Sequence, residues 1–168
     1  MVENMIRIKD KSKESFIGID PGQKGAIAII SHTYGLILLE DWPGSEVAAA
    51  NLLRSVLFVH RIIRVERTQA AIEYVHAMPK QGVSSTFKFG TNFGIWKGIL
   101  AAFAIPFIEV RPQQWKKNII KKADGKLACI NVAKRMFPSA KLEGPRGGLK
   151  DGRAEALLIA DWCRKQYK

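Results

Sequence analysis

The sequence predicts an α/β domain with a mixed five-stranded sheet. Three observations predict it. Three apolar runs near the N-terminus follow one another through short turns, and short connections make antiparallel neighbours. Two later apolar runs, at 70–75 and 107–110, alternate with segments of helical period, as strands do when helices carry the chain across a sheet. The last stretch, 153–166, reads as a closing helix.

Element by element, 16–19, 25–31 and 35–40 read as strands, with turns at Pro21-Gly22 and around Thr33 to Gly35. Ser45 is a candidate N-cap. Val47, Leu52, Leu53, Val56, Leu57 and Val59 then recur at helical spacing, from Glu46 to about Arg64. The run 70–75 is a buried strand with one carboxylate inside it, and 78–86 is a Gly/Ser/Pro-bearing loop. A helix rich in small and aromatic residues spans 89–103, and a strand spans 107–110. Pro112 suits the first turn of a short helix through Trp115. Residues 124–136 form a helix stopped at Pro138, and 139–150 a basic, glycine-rich loop. Residues 1–14 are expected to be a flexible tail, and 15–168 a single domain.

The chain has 168 residues, enough for one proper core. Lys and Arg outnumber Asp and Glu by 27 to 15, a formal charge of +12. That surplus favours polyanionic partners, nucleic acid first. Cys129 and Cys163 stand far apart with no His nearby in sequence, which disfavours a zinc site or a disulfide framework. The N-terminal stretch is charged and mixed in sign, unlike a secretory signal. No apolar run approaches the ~18 residues of a membrane span. The expectation is a soluble, cytoplasmic protein with no membrane partner and no small-molecule cofactor.

Four carboxylates stand out. Asp20 ends the first strand, before Pro21-Gly22. Glu73 interrupts an apolar strand. Asp151 and Glu155 are four apart at the start of the last helix, on one face. Each has an ordinary alternative. Asp20 could form an Asx turn, and Glu73 could pair with an Arg or face solvent at a sheet edge. Asp151 could cap its helix and Glu155 could be solvated. Together they point elsewhere, because strand ends and a facing helix start can share one cleft. Carboxylates gathered there raise one another's pKa unless cations neutralise them. Hard oxygen ligands select Mg²⁺ or Mn²⁺. Two such ions ~4 Å apart can activate water and stabilise the leaving oxygen in phosphodiester hydrolysis.

The chain resembles the RuvC-type Holliday junction resolvases of the RNase H-like fold, in particular their phage branch. The resemblance rests on Gly18-Ile19-Asp20-Pro21-Gly22 with Gly25, on Ala71-Ile72-Glu73-Tyr74-Val75, and on the segment from Gly82 to Gly90. It rests also on Val110-Arg111-Pro112-Gln113-Gln114-Trp115-Lys116-Lys117 and on the segment from Lys150 to Ala160. The first motif alone is shared with actin-like ATPases; the set in order is specific. The resemblance implies an RNase H-like fold and a metal-binding catalytic tetrad of Asp20, Glu73, Asp151 and Glu155. It further implies two Mg²⁺ or Mn²⁺ ions per site, a four-way DNA junction as substrate, paired symmetric nicks and a homodimer. The sequence departs from the usual bacterial pattern in one place. Its last two acidic residues are four apart rather than three, and the final one is Glu rather than Asp.

The basic run after the last strand includes Lys116, Lys117, Lys121, Lys122 and Lys126. Alone it is a solvated face; beside a carboxylate cleft it reads as a phosphate track. By similarity Lys116 or Lys117, with Lys126, contacts the cut strand. Arg146, Lys150 and Arg153 flank the last carboxylates and can hold phosphate. Ser84 and Ser85, with Gly82 and Thr86, offer phosphate donors. His76 stands where bacterial resolvases carry a junction-opening aromatic. Gly90, Gly94 and Gly98 permit a close helix approach, in the core or across a dimer interface. Three rival readings are a nuclease for RNA–DNA hybrids or other branched DNA, an actin-like ATP-binding fold, and a non-catalytic nucleic-acid-binding module. The actin-like body needs a longer chain, and surplus carboxylates weaken a pure DNA-binding cleft.

Overall fold

The computed structural model describes residues 13–60, 62–74, 82–120 and 127–167. Five strands form one sheet in the order β3-β2-β1-β4-β5. They are β1 (Ser15–Asp20), β2 (Ala26–Ser31), β3 (Gly35–Asp41), β4 (Thr68–Glu73) and β5 (Phe107–Val110). The first three are mutually antiparallel, while β4 runs parallel to both β1 and β5. The helices are α1 (Glu46–Arg54), α2 (Val83–Ala102), α3 (Pro112–Lys116), α4 (Ala128–Met136) and α5 (Asp151–Gln166).

Every residue of β1, β2 and β4 is buried, which explains their continuous apolar runs: helices cover both faces. Side chains alternate across a strand. Phe16, Ala28, Ile30 and Ala71 therefore enter one core with α3, α4 and α5. Ile17, Ile19, Ile29, Ala70 and Ile72 enter the other, with α1 and α2. The α5 backbone lies directly on β1 at Gly18. A Cβ there would sit 2.1 Å from the Ala156 carbonyl oxygen and 2.3 Å from the Ala160 nitrogen. Gly152 seats the start of the same helix on the β1–β2 turn, where a Cβ would lie 2.1 Å from the Lys24 carbonyl oxygen. These two contacts bring the N-terminus of α5 to the carboxyl end of β1.

Strand β4 runs Thr68–Glu73 rather than 70–75, helix α4 begins at Ala128 rather than 124, and other boundaries differ too. Helix α1 ends at Arg54 rather than near Arg64; one turn of π-helix follows over Ser55–Val59. Val56 and Leu57 are both buried there, and Ile63 folds back into the core. The apolar spacing thus continued past the end of the regular helix. Helix α2 begins at Val83, so Ser84 and Ser85 lie in its first turn rather than in a loop. Small hydroxyl residues are accepted there because they satisfy backbone locally; the Thr86 hydroxyl donates to the Gly82 carbonyl at 3.2 Å. Helix α5 begins at Asp151, two residues early. Lys13 and Glu14, at the end of the expected tail, are tied to the sheet: Lys13 Nζ donates to the Glu66 carbonyl at 2.9 Å, and the Glu14 N–H to the Arg67 carbonyl at 2.8 Å.

Candidate metal centre

In the parallel β1–β4 register Ile19 lies beside Ile72. The next residues, Asp20 and Glu73, therefore end two adjacent strands side by side. Both fall on the α5 face by alternation with Phe16, Gly18 and Ala71. Both are nearly buried, at 9% and 8% exposure. Asp20 Oδ1 accepts the Gly22 N–H at 2.9 Å, so the turn-forming role is real. It leaves most of the carboxylate's acceptor capacity free. Glu73 Oε1 accepts the indole N–H of Trp115 at 2.9 Å.

Burial pushes the Asp20 carboxyl up to about 6, reinforced by the Glu155 charge and opposed by the Gly22 N–H. Burial also pushes Glu73 up to about 7, reinforced by Asp20 and Glu155 and opposed by Trp115 and Lys116. These three carboxylates feel one another across a shared, water-poor space. Glu155 is half-buried one turn into α5. It accepts a hydrogen bond from Lys116 Nζ at 2.9 Å and faces the Cys129 Sγ at 3.6 Å. Burial and the Glu155 charge push the Cys129 thiol up to about 12, which makes it a poor nucleophile. Burial disfavours the Lys116 ammonium, but the hydrogen bond and charge of Glu155 outweigh it, and its pKa is raised.

Asp151 is exposed at the first residue of α5. It lines an adjacent cavity of about 720 Å³ with Lys24, Trp42, Arg146 and Lys150. Asp20, Glu73 and Glu155 thus interact through their charges, while Asp151 lines a cavity to which none of those three contributes. Among the described residues no three acidic, His or Cys side chains stand close enough to enclose a metal ion. The donor chemistry nevertheless fits one. The oxygens are hard acceptors, and burial raises the pKa of Asp20 and Glu73, a cost that a bound cation would offset.

The cations expected at phosphates divide into groups. Lys116 sits on Glu155, while Lys117 is exposed just beyond α3. Lys150 and Arg153 both bind Asp41, at 2.9 and 2.8 Å, and Arg153 also donates to the Lys141 carbonyl at 3.0 Å. They staple the 139–150 loop to β3. Ser84 and Ser85 are exposed in the first turn of α2. His76 and Lys126, with Lys121 and Lys122, lie outside the described residues. Gly90, Gly94 and Gly98 have open space at the Cβ position, so they do not serve a close approach in the core.

Sequence reasoning missed Trp115 as the donor to Glu73 and Cys129 as a neighbour of Glu155. A signal for the first existed: a Trp in an otherwise polar helix turn is usually buried with its N–H satisfied.

No protein-family model matches the sequence, and no curated protein matches it. Solved structures do. A Thermus thermophilus RuvC in complex with a Holliday junction substrate superposes with a TM-score of 0.60 at 17% identity, covering 90% of this chain and 93% of that one. A second structure of Thermus thermophilus RuvC gives a TM-score of 0.59 at 18% identity with the same coverage. No helix among the described residues is long and apolar enough to cross a membrane. Taken with the strand order and with the seating of α5 on β1, these superpositions establish that the chain has the RNase H-like fold of the RuvC resolvases.

Proposed function

We propose that this protein is a divalent-metal-dependent endonuclease that resolves four-way DNA junctions as a homodimer, nicking two opposed strands. One observation carries the reading: two buried, proton-hungry carboxylates, Asp20 and Glu73, end adjacent parallel strands under the N-terminus of α5. Ligands in open α/β sheets bind at such carboxyl ends. Asp20, Glu73 and Glu155, with Asp151, would hold Mg²⁺ or Mn²⁺, two ions per site. When bound, the metal supplies a nucleophilic water at neutral pH and charge stabilisation for the leaving oxygen.

The chain's own residues prepare that chemistry. The positive end of the α5 helix dipole lies at Asp151, in the first turn of that helix. Lys116 holds Glu155 in place through its 2.9 Å contact, and its flexible stem can turn to a phosphate oxygen. Lys24 and Arg146, which have no ion-pair partner among the described residues, line the cavity beside Asp151 and suit the DNA backbone. By the family resemblance, Lys117, Lys126, Lys150, Arg153, Ser84 and Ser85 would extend that track, and His76 would act at the crossover. The open Gly90, Gly94 and Gly98 face of α2 suits a two-fold contact, and a two-fold junction needs two sites.

The test is cleavage of a synthetic four-way junction, with matched linear duplex and RNA–DNA hybrid, in Mg²⁺ and in EDTA. The reading predicts metal-dependent paired nicks on opposed strands of the junction alone. Cutting of the hybrid or of every branched substrate overturns the junction assignment. No cutting in either metal overturns the nuclease.

A further inference from the structure

We infer that Trp115 is a positioning residue for Glu73, and that helix α3 clips two carboxylates of the site into place. The inference rests on the reading of that site as a metal centre. Strand β5 ends where Val110 pairs with Glu73, and the Tyr74 N–H donates to the Val110 carbonyl at 2.7 Å. The chain then turns at once into α3. Pro112 occupies its first turn, and the Arg111 N–H donates to the Gln114 side chain at 2.9 Å. This short, braced helix carries Trp115 back onto the α5 face, where it is fully buried.

A buried indole needs an acceptor for its single N–H. Trp115 gives it to Glu73 Oε1, and this is the sole side-chain hydrogen bond to Glu73 among the described residues. It fixes one oxygen from the side of the protein and leaves the other free for a cation. The next residue, Lys116, does the same for Glu155 across the site. Its ammonium lies 4.7 Å from the centre of the Trp115 ring, so the two donors brace each other through a cation–π contact. Consecutive residues of one helix thus hold carboxylates contributed by β4 and α5. Packing alone would accept any large apolar side chain at 115. The direction of the indole N–H is what makes Trp specific.

Partners of metal-ligating groups typically change metal affinity by about 10–100-fold when removed. The test uses the full-length, ¹⁵N-labelled protein, whose 4 Trp residues give separable indole signals. Trp115→Phe assigns the signal and keeps an aromatic ring in the core. The expectation is that Glu73→Gln moves the Trp115 indole signal far more than the other three, as does titration with Mg²⁺. Trp115→Phe should bind Mg²⁺ about tenfold more weakly by calorimetry. It should lower kcat on the junction with KM little changed. An unmoved Trp115 signal in Glu73→Gln overturns the inference, and so does Mg²⁺ affinity unchanged in a folded Trp115→Phe. If Trp115→Phe does not fold, the Glu73→Gln spectrum decides alone. If wild-type protein binds no Mg²⁺ and cuts no DNA, the metal-centre reading fails, whereas the hold of Trp115 on Glu73 is still decided by that spectrum.

Discussion

Two carboxylate sites sit at the same end of the sheet, where Ala26 pairs with both Asp20 and Asp41, and their electrostatics are opposite. Asp41 is partly exposed at the end of β3 and is gripped by Lys150 and Arg153. Its exposure costs little, and the two cations hold its carboxyl below the usual range. Asp20 and Glu73 are buried, repel each other, and are held well above that range. The first cluster is complete within the protein and works as a staple between β3 and the 139–150 loop. In the second, Lys116 is the one cation among the described residues that acts on the buried pair, and burial outweighs it. A fold retains that cost where something outside the chain relieves it. The contrast separates the structural acid from the candidate metal ligands without reference to any relative.

The largest effect is expected where both clusters depend on one contact. Gly18→Val would drive a side chain into the Ala156 and Ala160 backbone, and displacing α5 should abolish folding, read as loss of the cooperative melting transition. Next, Asp20→Asn and Glu73→Gln should each abolish junction cleavage, a drop of about a thousandfold or more by gel assay, while DNA binding persists. The same two variants should be more stable than wild type at pH 8, because each removes a charge whose burial outweighs its favourable contacts.

The pH dependence sharpens the contrast further. Asp20 and Glu73 have folded pKa values of about 6 and about 7 against ordinary values of 3.8 and 4.5. Across that window the folded state keeps protons that the unfolded chain has released. Metal-free stability should therefore fall as pH rises from about 4 to about 7 and level off above. Asp41 has the opposite sign: its contribution is present above its ordinary pKa of 3.8 and is lost as pH falls through its lower folded value. Denaturant melts of Glu73→Gln should show a shallower fall between pH 4 and 7 than wild type. The smallest effect is Asp41→Asn, which should cost about 1 kcal/mol at low salt and less at high salt, with cleavage retained, since its ion pairs are partly solvated.

Much of this was readable from sequence where signals are local. The β1, β2 and β5 runs, the Pro112 start of α3 and the final helix follow from period and turn chemistry, and strands β1 and β4 announced their terminal carboxylates by interrupting apolar runs. The sequence could not show what meets those carboxylates. Trp115 reaches Glu73 across 42 positions, Lys116 reaches Glu155 across 39, and Arg153 reaches Asp41 across 112. No local pattern encodes such pairings; the sheet order and the seating of α5 on Gly18 create them. Local chemistry also misled at α2, where Ser84 to Thr86 read as loop residues but serve as a helix's first turn. The four-residue spacing of Asp151 and Glu155 was visible, yet not that Glu155 acts on the buried pair while Asp151 lines the adjacent cavity.

The most direct test of the central contrast is the melting temperature at pH 8 of metal-free wild type, Glu73→Gln and Asp41→Asn, each with and without Mg²⁺. A ligand bound only to the folded state raises that temperature by mass action. The account predicts a clear rise for wild type and Asp41→Asn and almost none for Glu73→Gln. An equal rise in all three, or none in wild type, would contradict it.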